Sequence, residues 1–176
     1  MARIYESITA EQAELIRRSP LFFVASADPS LADTEAGLGP VNLSPKGGVP
    51  LHVLDDHRVA YLDYTGSGNE TARHAVAGGP VTVMVCSFEA DDAAVVRLYG
   101  KAAVSTLEDS PLAALLLDSP AESIHLPQRQ VIEVLVDRTI TSCGYGVPVM
   151  EFARERNLSG RGRSYKEGRR AERAGG

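Results

Sequence analysis

The chain has 176 residues, 44% of them hydrophobic and 23% charged, and a net charge of -5. That length suits one domain with a core of its own, and the acidic balance argues against a general nucleic-acid surface, which carries net positive charge. No apolar run approaches the roughly 20 residues of a membrane span, and the N-terminus lacks the charged-then-apolar order of a signal peptide, so a cytoplasmic protein is expected.

Thr9 and Gln12 have the form of a capping box, and Ala13, Leu15 and Ile16 supply an apolar stripe, which predicts a short helix over 10–18. The compact apolar run 21–27, bounded by prolines, reads as a strand. After a turn-rich stretch and Val41-Asn42-Leu43, the residues Ser44-Pro45-Lys46-Gly47-Gly48 read as a turn. Strands are expected over 51–54 and 59–62. The Thr65-Gly66-Ser67-Gly68-Asn69 loop then leads into a helix over 70–77, with Asn69 as its N-cap and Gly78-Gly79 as its stop. The β-branched runs 80–88 and 95–104 predict a long hairpin, 112–117 a second short helix after Pro111, and 130–136 a last strand.

Strands with short helices between them, and no regular βαβ alternation, point to a mainly β, antiparallel barrel of six to seven strands. Its expected extent is residues 1–153. From 154 to 176 the composition changes to seven Arg and one Lys against three Glu, with five Gly, which is a basic tail unable to bury a core.

Three places carry candidate chemistry. The Gly66-Ser67-Gly68-Asn69 loop, set between a strand and a helix, offers backbone N–H groups and side-chain donors to an anion such as a phosphate, although it has neither P-loop nor dinucleotide spacing. Lys46 can add a full positive charge beside it. Arg97 is a charge inside an apolar strand and must face solvent, a partner or a ligand. His52, His57, His74 and His125 lack metal-ligand spacing, and Cys86 and Cys143 read as free thiols. No metal site is assigned, and no serine has a nucleophile-elbow context.

Taken in order, Asn42-Leu43-Ser44-Pro45-Lys46-Gly47, then Ala60-Tyr61-Leu62-Asp63-Tyr64 before the Gly-Ser-Gly-Asn loop, and then Arg97-Leu98-Tyr99-Gly100-Lys101-Ala102 resemble the pyridoxamine 5'-phosphate oxidase-related flavin-binding proteins. The resemblance covers about residues 10–140. It implies an FMN-binding split β-barrel that forms a homodimer, with FMN in a groove built by both subunits. On matching positions it makes Lys46, Ser67 and Asn69 candidate phosphate ligands, places Tyr64, Thr65 and Gly66 along the flavin, and adds Arg97 to the cofactor-binding set.

The chain departs from the oxidases in two ways. Gly68-Asn69 stands where their phosphate loop carries an Arg-Lys pair, and without any Trp it lacks their Trp-containing C-terminal motif. The resemblance therefore implies an FMN-dependent oxidoreductase with a different small-molecule substrate. The alternatives are a reductase of the same fold using the deazaflavin F420, or a non-enzymatic flavin- or haem-binding module.

Overall fold

The computed structural model describes residues 2–33, 39–66, 68–118 and 127–155. Eight strands and three short helices follow one another as β1 (Arg3–Tyr5), α1 (Ala10–Arg18), β2 (Leu21–Ala27), β3 (Val41–Gly47), β4 (His52–Asp55), β5 (Arg58–Tyr64), α2 (Glu70–Val76), β6 (Pro80–Cys86), β7 (Ala94–Ser105), α3 (Ala113–Leu117) and β8 (Gln128–Cys143). Every strand pairing is antiparallel, in the order β3-β2-β6-β7-β8-β5-β4, with β1 added to β8. The fold is the expected split barrel, and the described residues hold eight strands where six or seven were expected. The added strand is β1, too short to show an apolar pattern of its own.

α1 starts where its capping box places it: Gln12 N–H donates to Thr9 Oγ1, and Thr9 N–H donates to Gln12 Oε1 at 3.0 Å. The Gln12 amide also bonds the hydroxyls of Thr139 and Thr141 on β8, so the cap ties the helix to the barrel wall. α2 ends on Gly78, whose φ of +82° is the left-handed conformation that stops a helix most easily at glycine.

The sequence expectation fails at three points, each for a physical reason. Residues 44–47 are not a turn but the second half of β3, paired from Leu21↔Gly47 to Ala27↔Val41. β3 is an edge strand with one partner, so Pro45 breaks no ladder on its free side. β8 runs on to Cys143, well past 136, because the β-branched Thr139, Ile140 and Thr141 continue a strand without an apolar stripe. Asn69 occupies the N-cap position of α2 but makes no capping bond; its Oδ1 accepts from Gln130 Nε2 at 2.8 Å. Ser67, His125 and the tail from residue 156 lie outside the described residues.

The interior is filled by alternate residues of the strands: Phe22 and Val24, Val59 and Tyr61, Val81, Val83 and Val85, Val96 and Leu98, and Ile132, Val134 and Val136. Leu15 and Ile16 of α1 and Ala72 of α2 complete that core. A smaller cluster of Ala60, Leu62 and Val131 lies on the outer face of β5 and β8 against Leu116 of α3. β8 is therefore apolar on both faces where α3 covers it.

Candidate functional site

The sheet is not closed by backbone pairing between β3 and β5, and a cluster of polar and charged side chains lies at that seam. Residues along β3 alternate, so Val41, Leu43 and Pro45 face out while Asn42, Ser44 and Lys46 face in and are half-buried. Lys46 thus projects from a strand into the barrel mouth, where the sequence suggested a surface turn. Across the seam β5 ends in Asp63 and Tyr64. Asp63 is 6% exposed, on the same strand face as Val59 and Tyr61.

Asp63 is the hub of the seam. Oδ1 accepts from Lys46 Nζ at 3.0 Å. Oδ2 accepts from Arg129 Nη2 at 2.6 Å, Arg129 Nε at 3.1 Å and Gln130 Nε2 at 2.9 Å. Burial by itself would raise the carboxyl's pKa, but the bonds from Arg129 and Lys46 and the lysine's charge hold it below the ordinary range. Arg129 Nη2 also donates to Gly68 O at 3.1 Å. Its guanidinium therefore stands beside the loop in which the sequence carries no basic residue. A further bond, Asn42 Nδ2 to Thr71 Oγ1 at 3.0 Å, ties β3 to α2.

Between these groups lies a cleft of about 300 Å³. Lys46, Tyr64, Gly66 and Asn69, all singled out from the sequence, line it. Thr65 sits between two of them, its N–H donating to Pro127 O at 2.9 Å. Arg97 is not brought there: it lies on the outer face of β7, where Nη1 donates to Ser142 Oγ at 3.1 Å.

Sequence reasoning missed Asp63, Arg129 and Gln130, together with the inward Asn42, Ser44 and Thr71. The signal at Asp63 was the one used for Arg97, a charge inside an apolar strand. The positive charge at the cleft comes from Lys46 and Arg129 rather than from α2, a helix of two turns whose N-cap side chain is engaged elsewhere. The lining carries two cations, Lys46 and Arg129, and two carboxylates, the buried Asp63 that both cations bond and Glu70 in the first turn of α2. The hydroxyls and amides of Asn42, Ser44, Asn69 and Thr71 surround the cleft. That donor set fits a phosphate-bearing group.

One other polar pair does no such work. His74 Nδ1 and Ser26 Oγ are 3.0 Å apart, and both residues are buried in the wall. No described helix is long and apolar enough to cross a membrane.

Residues 8–143 match the sequence model of the family described as pyridoxamine 5'-phosphate oxidase. The chain is 35% identical over 155 residues to the pyridoxamine 5'-phosphate oxidase family protein ustO of Aspergillus flavus, an alignment covering 86% of this chain. It spans 58% of the length of that relative. Among solved structures, HupZ of Group A Streptococcus superposes with a TM-score of 0.56 at 21% identity, over 75% of this chain and 91% of that one. A candidate pyridoxamine 5'-phosphate oxidase of Lactobacillus delbrueckii superposes with a TM-score of 0.54 at 20% identity, over 77% and 94%. At these identities the structural likeness is one of fold.

Proposed function

The chain belongs to the pyridoxamine 5'-phosphate oxidase family, and from that membership we propose that it is an FMN-binding oxidoreductase acting on a small molecule, with the flavin phosphate in the seam between β3 and β5. The observation that carries this reading is the convergence of Lys46 and Arg129 on one cleft rimmed by hydroxyl and amide donors. Arg129, entering from β8 beside Gly68, supplies a cation where the oxidases resembled by the sequence carry theirs in the loop itself. Bound there, FMN supplies the electron chemistry, and the chain supplies position and electrostatics.

The cleft lies at the small end of ligand sites, which run from about 300 to 1,000 Å³, and so takes the phosphate end rather than a whole flavin. We propose that a second copy of the chain completes the groove. The outer face of the sheet supports this. Pro45, Phe23, Met84 and Arg97 form one cross-strand row, and Leu43, Ala25, Thr82 and Tyr99 another. Phe23, Ala25, Met84 and Tyr99 are half-buried, and Leu43 is 66% exposed. An outward face this apolar, ending at an edge strand, favours burial against a partner.

The reading is tested by mass spectrometry of the small molecule released when the purified protein is denatured, together with light scattering of the intact protein. FMN and twice the 18.8 kDa chain mass are expected. Release of a deazaflavin or haem overturns the FMN assignment, and a monomer that binds FMN tightly overturns the shared groove. Bleaching of the bound flavin by NAD(P)H, followed by its reoxidation, separates an enzyme from a binding module.

A further inference from the structure

Tyr61 is fully buried, and among the described residues its hydroxyl is the buried side-chain polar atom without a hydrogen-bond partner. A phenylalanine would fill the same space without leaving a polar atom unpaired, so the hydroxyl is a cost to the packed barrel that only a missing acceptor would offset. Its surroundings identify the chemistry of that acceptor. The ring packs edge-on against Phe22 at 5.2 Å between centroids, which fixes its orientation. Lys46 Nζ stands over the ring, 5.8 Å from its centroid, on its way to Asp63. Tyr61 lines the seam cleft, two residues from Asp63 on the same strand face.

Asp63 and Arg129 line the same cleft as Tyr61. Burial first, and Asp63 second, push the phenol's pKa well above the ordinary range, so it is a neutral donor at any physiological pH. Both carboxylate oxygens of Asp63 already accept from Lys46, Arg129 and Gln130.

We propose that the Tyr61 hydroxyl donates to a phosphoryl oxygen of a phosphate monoester held between Lys46 and Arg129, and thereby sets a preference for the phosphorylated over the unphosphorylated flavin. The assignment rests on the FMN reading above and adds to it the residue that reads the phosphate from inside the barrel. The partnerless hydroxyl, the cations beside it and the cleft they share are three separate features of the same seam.

The test is Tyr61→Phe, titrated with FMN and with riboflavin by flavin fluorescence, alongside the parent. FMN affinity is expected to fall about tenfold while riboflavin affinity stays put, so the ratio of the two falls about tenfold. The melting temperature of the flavin-free variant should match or exceed the parent's. A ratio is unaffected by any loss of folded fraction common to both titrations. If the parent binds FMN and Tyr61→Phe keeps the same ratio, the hydroxyl is merely buried and this assignment falls alone. If both ligands weaken equally, Tyr61 acts through packing and the assignment also falls. If the parent binds no FMN, the functional reading falls and takes this one with it.

Discussion

Lys46 Nζ lies 3.0 Å from Asp63 Oδ1, and that ion pair joins two strands that are not neighbours in the sheet. The Asp63 side chain is only 7% exposed and that of Lys46 23%, so the pair is screened far less than a surface bridge. It also costs more to break from one side, because the carboxylate stays behind.

Replacing Lys46 by Ala is therefore expected to destabilise the protein by about 1–3 kcal/mol in denaturant melts. FMN binding should weaken about tenfold or more, with riboflavin little affected. Asn69→Ala is expected to weaken FMN binding as well. Because Asn69 does not cap α2, its stability cost should stay below the ~1 kcal/mol of a lost cap. Equal FMN affinity in the parent and both variants would place the phosphate elsewhere.

Asp63 makes stability depend on acid. Its folded pKa is lowered, so it binds its proton less readily folded than unfolded. The stabilisation it brings is whole above the ordinary carboxylate range and drains away as pH falls below about 4, toward the folded value. Asp63→Asn should be less stable than the parent at neutral pH, where Lys46 and Arg129 lose their counter-charge. The gap should narrow as pH drops through that window. Denaturant melts at several pH values read this directly, and a gap that stays constant would show that the carboxylate is not held as described.

At the bulge between Tyr99 and Gly100, a Cβ on Gly100 would overlap the carbonyl of Leu135 on β8. Backbone atoms cannot swing away as a side-chain tip can. Gly100→Ala should cost about 1–3 kcal/mol or more by overpacking. Gly146→Ala meets nothing within 4 Å and should leave the melting temperature nearly unchanged. Similar melting points for the two variants would mean that β7 and β8 are looser at the bulge than the register implies.

Features carried by neighbouring residues were readable in the sequence. The Thr9–Gln12 box marks the start of α1, and the run from Leu21 to Ala27 marks β2 to the residue. β3 was obscured because Pro45, Lys46 and Gly47 have turn chemistry, and only its place at the sheet edge makes a strand of them. The site was half visible for a similar reason. Lys46 and the Gly-Ser-Gly-Asn loop stand out as donors, but Arg129 follows Asp63 by 66 residues and meets it only through the register Asp63↔Gln130. No spacing rule in the sequence predicts that meeting.

β8, the longest strand, pairs along its length with β5, β7 and β1, so it joins the two halves of the sheet. Among the described residues it is also the last strand to be made. While the chain is being synthesised, β2, β3, β6 and β7 can associate, as can β4 with β5, but the two groups have no common strand until residues 128–143 leave the ribosome. The apolar faces of Val59, Tyr61, Val83 and Leu98 then wait together for one late segment. Folding that depends on such distant pairings is slow and exposed to aggregation. A premature stop anywhere before β8 should yield not a smaller barrel but an insoluble fragment.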